Sequence, residues 1–207
     1  MKTTIDNYQF ERQYYEDGLN LIAGCDEVGR GPLAGPVVAT AVIMPKNFYI
    51  EGVTDSKKLS SKKRKQLKKE IEEHALSVVT VFIDEKTIDE INIYEASRLA
   101  MIKAISGLNP KPEIVLVDAM PLDIEIKTHS IIKGDEQSFA IGCASIIAKE
   151  IRDDYMNILD KKYPEYGFKN NKGYPTKQHL EALKSKGVLP VHRKTYSPVK
   201  KILIIEE

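Results

Sequence analysis

Only two cysteines occur in 207 residues, Cys25 and Cys143, with no Cys-x-x-Cys pair and no cysteine and histidine set at zinc-ligand spacing. That excludes a disulfide-stapled framework and leaves free thiols in a reducing compartment as the expectation. There is no apolar leader either. Met1 to Gly18 is polar and charged throughout, so a cytoplasmic protein is expected. The longest apolar run, near Val37 to Met44, falls far short of the ~20 residues a membrane span needs, and no membrane role follows. Net charge is nearly absent: 31 Lys and Arg face 30 Asp and Glu, for a formal +1. Whole-molecule charge therefore does not point to nucleic acid. Repeats, low-complexity stretches and linkers are missing too. The length, with 42% hydrophobic content, suits one domain with a proper core over residues 1–207.

What is there is locally uneven. Lys57 to Lys69 is densely basic, and Lys184, Lys186, His192, Arg193, Lys194, Lys200 and Lys201 form a second positive region. Such patches attract phosphates even when the total cancels, although a solvated helix face is the commoner account of a lysine run taken alone. Leu21 to Cys25 and Pro36 to Met44 read as strands, possibly a hairpin, and Val78 to Ile83 as a third. Ile114 to Val117 is continuously apolar, as in a strand buried on both faces, and ends in Asp118. Ile126 to Ile132 is a further strand. Helices are expected from Ser60 or Ser61 to about His74, from Asn92 to Gly107, from Gln137 to about Lys161, and from Lys177 to Lys186 with Gly187 as its stop. Strands first, then strands alternating with helices, predict an α/β layered fold with a mixed sheet. The part beyond about Gly167 reads as an appendage.

Acidic residues close these strands. Asp26 and Glu27 end one, Asp118 ends another, and Asp135 follows a third in Lys133-Gly134-Asp135. Open α/β sheets bind ligands beyond the ends of their strands, so these positions can converge on one crevice. Clustered buried carboxylates repel and need cations, and an all-oxygen donor set without His or Cys suits Mg²⁺ or Mn²⁺. Each acid taken singly is also an ordinary turn or cap residue. Adjacent residues of a flat strand face opposite sides, so a turn or bulge is expected between Asp26 and Glu27, helped by Gly29 and Gly31. Ser145 and Lys149 are one helical turn apart and can share a phosphate-binding face. Alternatively, the small residues around them allow close helix packing.

The stretch Asp26-Glu27-Val28-Gly29-Arg30-Gly31-Pro32-Leu33-Ala34-Gly35-Pro36 resembles the type 2 ribonucleases H. Asp55-Ser56-Lys57-Lys58-Leu59-Ser60, Val117-Asp118, Lys133-Gly134-Asp135, Ala144-Ser145-Ile146-Ile147-Ala148-Lys149 with Arg152-Asp153, Gly173-Tyr174-Pro175-Thr176, and His192-Arg193 with Ser197-Pro198 follow in that family's order. The resemblance covers about Leu21 to Pro198. It implies a ribonuclease-H-like α/β fold, with a catalytic core over about 18–165 and a substrate-binding extension over about 166–207. It also implies an endonuclease that cleaves the RNA strand of RNA–DNA hybrids, or nicks beside ribonucleotides embedded in duplex DNA, and acts as a monomer. Asp26, Glu27, Asp118 and Asp135 match the family's catalytic, metal-binding carboxylates, with Asp153 the substitute for Asp135. A Mg²⁺ or Mn²⁺ pair about 3.5–4 Å apart suits in-line displacement at phosphorus, leaving a 5′-phosphate and a 3′-hydroxyl. Gly29, Arg30 and Gly31 are assigned to the ribose 2′-hydroxyl, the group that separates RNA from DNA, with Tyr174 packing against that ribose. Lys57, Lys58, Ser145 and Lys149 are the remaining substrate contacts, and His192 is expected to be structural or phosphate-contacting. Cys143 stands where the family usually has alanine, a near volume-conserving departure.

Two rivals frame the test. A nucleotide-binding phosphotransferase would need a Lys-Ser/Thr pair that Gly29 to Pro36 lacks, and prolines remove amide donors from that loop. A catalytically silent nucleic-acid-binding module would gain nothing from four acids beside a phosphate backbone unless metal bridges them.

Overall fold

The computed structural model describes residues 6–206. Strand β1 (Ile22–Val28) pairs antiparallel with β2 (Val37–Ile43), and β2 pairs antiparallel with β3 (Ser77–Ile83). On its other side β1 runs parallel to β4 (Ile114–Asp118), which runs parallel to β5 (Thr128–Ile131). The mixed sheet has the order β3-β2-β1-β4-β5. Every residue of β2 is buried, as its Val, Ala, Thr and Ile content requires of a strand covered on both faces. Beyond the first five residues of the polar Met1 to Gly18 stretch, which lie outside the described part, Gln9–Glu16 forms helix α1.

Two layers of helix cover the sheet. Helix α2 (Ser61–His74) is capped by Ser60, whose Oγ accepts the Lys63 N–H at 3.3 Å. Helix α3 spans Glu85–Gly107 but breaks at Asn92 (φ 66), whose side chain caps the second half by accepting from the amides of Tyr94 and Glu95. The expected start at Asn92 is therefore a restart. Ala96, Ala100 and Ala104 of α3 pack on the face made by Cys25, Ala39 and Val117. After the short turn α4 (Gly134–Gln137), helix α5 (Phe139–Lys162) crosses the opposite face, where Ile141 meets Ile22 and Leu116. At Gly24 a Cβ would run into the backbone of Ala140 and Ile141, so glycine there lets α5 lie directly on β1.

The chain ends with α6 (Phe168–Asn171), α7 (Lys177–Lys186) and α8 (Ser197–Glu206). These share a core with Leu33, Ala34 and Met156, built around Phe168, Leu183 and Val199. Ala34 also bridges to His192 across that contact. The second basic region is corrected here: His192 and Arg193 are buried, not surface cations. Both cysteines are free and buried. Among the described residues, no helix is long and apolar enough to cross a membrane.

Candidate active site

β1, β4 and β5 run parallel, so their C-terminal ends share one edge of the sheet. The turn or bulge expected between Asp26 and Glu27 is absent. β1 pairs residue for residue with β2 through Asp26↔Thr40, Glu27↔Ala39 and Val28↔Val38, and the chain departs only at Gly29 (φ 98). Asp26 consequently lies on the α5 face and Glu27 on the α3 face. Pairing of β1 with β4 stops at Cys25↔Val117, so both carboxylates stand at the open end of the sheet. Asp26 curls back over the strand end, its Oδ1 accepting the Glu27 N–H at 2.7 Å.

Asp118 follows Val117 in β4 as Asp26 follows Cys25 in β1, and because Cys25 pairs with Val117 the two acids stand side by side. Its Oδ1 accepts the Gly134 N–H at 2.7 Å, so it also anchors the turn that carries Asp135. Lys133, in the left-handed region, makes that turn. Burial, followed by repulsion among the acids, raises the pKa of Asp26 well above the carboxylate range. Burial likewise raises Glu27 and Asp118, and with Asp118 and Asp55 nearby it takes Asp135 up to about 6. Asp26, Glu27, Asp118 and Asp135 are thus brought into one mutually repelling cluster. The donors are all oxygen, and Glu27 Oε2 is buried without a hydrogen-bond partner among the described residues. That set suits a hard divalent cation. Among the described residues, no three His, Cys, Asp or Glu side chains form a ready-made ligand shell, so the fit rests on donor chemistry and the orphaned oxygen.

The other expected residues divide. Burial works against the Lys57 ammonium, but Asp55, Asp135, Asp26 and Asp118 together raise its pKa, so its charge lies within their electrostatic reach. Lys58 pairs instead with Glu136 at 2.8 Å. Ser145 is buried, bonded to Ser56 Oγ at 3.0 Å, and its hydroxyl works against the rise in the Asp26 pKa. Lys149 is bound to Asp153 at 2.7 Å. Ser145 and Lys149 therefore do not present one open face to a phosphate. Asp153 also meets Arg64 at 3.6 Å and lies among these cations, whereas Asp135 is the acid that couples to Asp118. Asp55 is a participant the sequence reading missed. It is buried, accepts the Lys57 N–H at 2.9 Å, and helps raise the pKa of Asp135. Before Ser56-Lys57-Lys58 it looks like a turn cap, which it also is.

Next to the carboxylates, the chain turns at Gly29-Arg30-Gly31, with Gly29 buried and Arg30 and Gly31 exposed. Arg30 Nη1 stands 3.5 Å from Glu27 Oε1. A Cβ at Gly31 would be 3.2 Å from the Tyr174 ring, so the half-exposed tyrosine faces this turn from the α6–α7 connection. Beneath the loop sit two fully buried arginines. Arg152 donates to the carbonyls of Pro36, Ala34 and Lys172. Arg193 donates to those of Gly35, Arg30 and Gly29. Neither forms an ion pair among the described residues, and burial lowers Arg152 to about 10. Sequence shows these residues only as basic positions, because their carbonyl partners are far away along the chain.

The family model described as Ribonuclease HII matches residues 23–199. The chain belongs to the ribonuclease HII family. It is 53% identical over 199 residues to the ribonuclease HII of Leuconostoc mesenteroides, covering 96% of this chain and 79% of that one. The ribonuclease HII of Ligilactobacillus salivarius is also 53% identical, over 95% of this chain and 77% of its own. Among solved structures, ribonuclease H2 from Pyrococcus horikoshii superposes with a TM-score of 0.75 at 30% identity, covering 88% of this chain and 96% of that one. The chain is thus a nucleic-acid-directed ribonuclease H, an endonuclease hydrolysing phosphodiester bonds on a ribonuclease-H-like fold. Membership sets aside both the silent binding module and the phosphotransferase.

Proposed function

We propose that this ribonuclease HII hydrolyses the RNA strand of RNA–DNA hybrids and nicks duplex DNA at embedded ribonucleotides, leaving a 5′-phosphate and a 3′-hydroxyl. The observation that carries this is the adjacency of four clustered carboxylates at the open end of the sheet to a glycine turn faced by Tyr174. Asp26, Glu27, Asp118 and Asp135 hold Mg²⁺ or Mn²⁺. When bound, a pair of such ions supplies an activated water and charge neutralisation at the attacking and leaving oxygens. The chain's own residues do the rest. The Ser145 hydroxyl favours the charged form of Asp26, and the Gly134 amide fixes Asp118. Lys57 supplies a cation within electrostatic reach of the cluster for the phosphate backbone. Arg30, Gly31 and the Tyr174 ring contact the ribose, whose 2′-hydroxyl has no counterpart in DNA.

The test offers three duplexes to the protein with either metal: DNA containing one ribonucleotide, an RNA–DNA hybrid, and all-DNA. Cuts are expected in the first two, bearing 5′-phosphate ends. Cleavage of the all-DNA duplex at a comparable rate would remove ribose recognition from this reading. Tyr174→Ala should lower kcat at the single ribonucleotide by about tenfold or more while duplex affinity changes little.

A further inference from the structure

Resting on the reading of Gly29-Arg30-Gly31 as the ribose-reading turn, we infer that Arg193, with Tyr196 and Arg152, is the positioning device that aims this turn's amide donors at the ribose. A guanidinium has five N–H donors, and Arg193 uses all of them. Nε donates to Gly35 O at 3.0 Å, Nη1 to Arg30 O at 2.8 Å and Tyr196 Oη at 3.0 Å, and Nη2 to Gly29 O at 2.5 Å and Gly35 O at 2.8 Å. Tyr196 Oη donates to the same Arg30 carbonyl at 2.7 Å. Arg152 holds the far limb of the loop by the carbonyls of Ala34 and Pro36.

The consequence follows from peptide geometry. In a trans peptide the carbonyl and the next residue's N–H point in opposite directions. The peptides here are trans. With Gly29 O and Arg30 O drawn inward to Arg193, the N–H groups of Arg30 and Gly31 must face away from it. Among the described residues those two amides make no hydrogen bond, whereas Leu33 and Gly35 in the same loop donate to Gly173 O and Val191 O. The free pair points out beside Tyr174, whose ring faces Gly31. Guanidinium is required because its planar fork reaches three separate carbonyls at once, which a lysine ammonium on a single stem does not match. Nothing in the local sequence of the turn encodes this, since Arg193 lies more than 160 residues along the chain.

Two variants test it. Arg193→Lys keeps the charge and removes the fork, and Tyr196→Phe deletes one hydroxyl at a partly exposed ring, which leaves a folded protein if the first variant is unstable. The backbone amide chemical shifts of Arg30 and Gly31 are measured alongside kcat, KM and duplex affinity on DNA carrying one ribonucleotide. Both shifts should move in both variants as the carbonyls are released. kcat should fall about threefold to tenfold for Tyr196→Phe and at least about thirtyfold for Arg193→Lys, with affinity for all-DNA duplex within about twofold and Mn²⁺ affinity unchanged. Parental shifts at both amides overturn the inference, as does a loss of kcat matched by an equal loss of duplex affinity. Gly31→Ala in the otherwise unaltered protein separates the two levels. Parental kcat there shows that the ribose reading of the turn has failed, whatever the arginine does.

Discussion

Asp118 shows how one side chain serves both backbone and chemistry. Its Oδ1 receives the Gly134 amide at 2.7 Å and so sets the turn on which Asp135 stands, while its charge is held against Asp26 and Asp135. Asparagine keeps the volume and the accepting oxygen but removes the anion. Asp118→Asn should therefore fold normally and bind duplex, while turnover with Mg²⁺ falls by at least about a hundredfold. Near-parental kcat in that variant would sink the carboxylate assignment. At this scale the strand-end acids Asp26, Glu27, Asp118 and Asp135 were visible in the sequence, because a carboxylate closing an apolar strand is unusual. Asp55 was not, because an acid before a short helical turn already has an ordinary explanation as its cap. Ser145 was visible as a residue type but not as a support for Asp26, since its direction depends on where α5 lands on β1.

Among the elements, the stretch from α6 to α8 carries a hydrogen-bond relay that ends on the Tyr174 carbonyl. Leu189 N–H donates to His192 Nδ1 at 2.9 Å, and the Nε2 atoms of His192 and His179 lie 3.0 Å apart. His179 Nδ1 lies 2.9 Å from Tyr174 O. The pattern is complete with both rings neutral: His192 passes its Nε2–H to His179, whose Nδ1–H goes to Tyr174 O. Burial, then the charge of His179, lowers His192 to about 4, and burial lowers His179 as well. Unfolded histidine titrates near 6.5, so between there and about pH 4 the unfolded chain takes up a proton that the folded one refuses. Stability from this pair is present above pH 6.5 and is lost as pH falls toward 4, by roughly 2–3 kcal/mol for His192. Urea unfolding at pH 7 and pH 4.5 should show a steeper loss for the parent than for His192→Gln. Parallel losses would refute the assignment. The remaining elements were unevenly legible. α2 and α7 announced themselves by cap, period and stop. α1 did not, because its anchor is long-range: buried Glu11 accepts from Ser138 Oγ at 2.6 Å and from the Ala140 amide at 2.9 Å, at the start of α5.

For the molecule as a whole, the carboxylate cluster is a site whose own charges oppose it. Burial and like-charge repulsion raise all four pKa values, so a divalent cation that binds the folded state should stabilise it by linkage. Saturation at about a hundred times Kd contributes about 2.7 kcal/mol, or roughly 5–10 °C in Tm for a chain of this size. Thermal unfolding in Mg²⁺ or Mn²⁺ against chelator measures this, and the increment should shrink in Asp118→Asn. A Tm indifferent to both ions would remove the metal from the site. The fold class belongs to this scale and was expected from the alternation of elements. The strand order β3-β2-β1-β4-β5 was not, because pairing partners are chosen by packing between segments far apart in the chain.

The sequence alone determined the strand-end acids, the Gly29-Arg30-Gly31 turn, most helices and strands, and through its ordered motifs the family. These are local matters of periodicity, caps and residue chemistry, or of motif order along one chain. Tertiary structure decided that β1 runs straight through Asp26 and Glu27 and turns only at Gly29. It also decided that Lys149 and Asp153 pair with one another, and that Arg152 and Arg193 lie inside, holding loop carbonyls. Each of those depends on which segments meet. A basic residue reads the same in sequence whether it faces solvent, a carboxylate or a row of carbonyls, and only the packed chain selects among them.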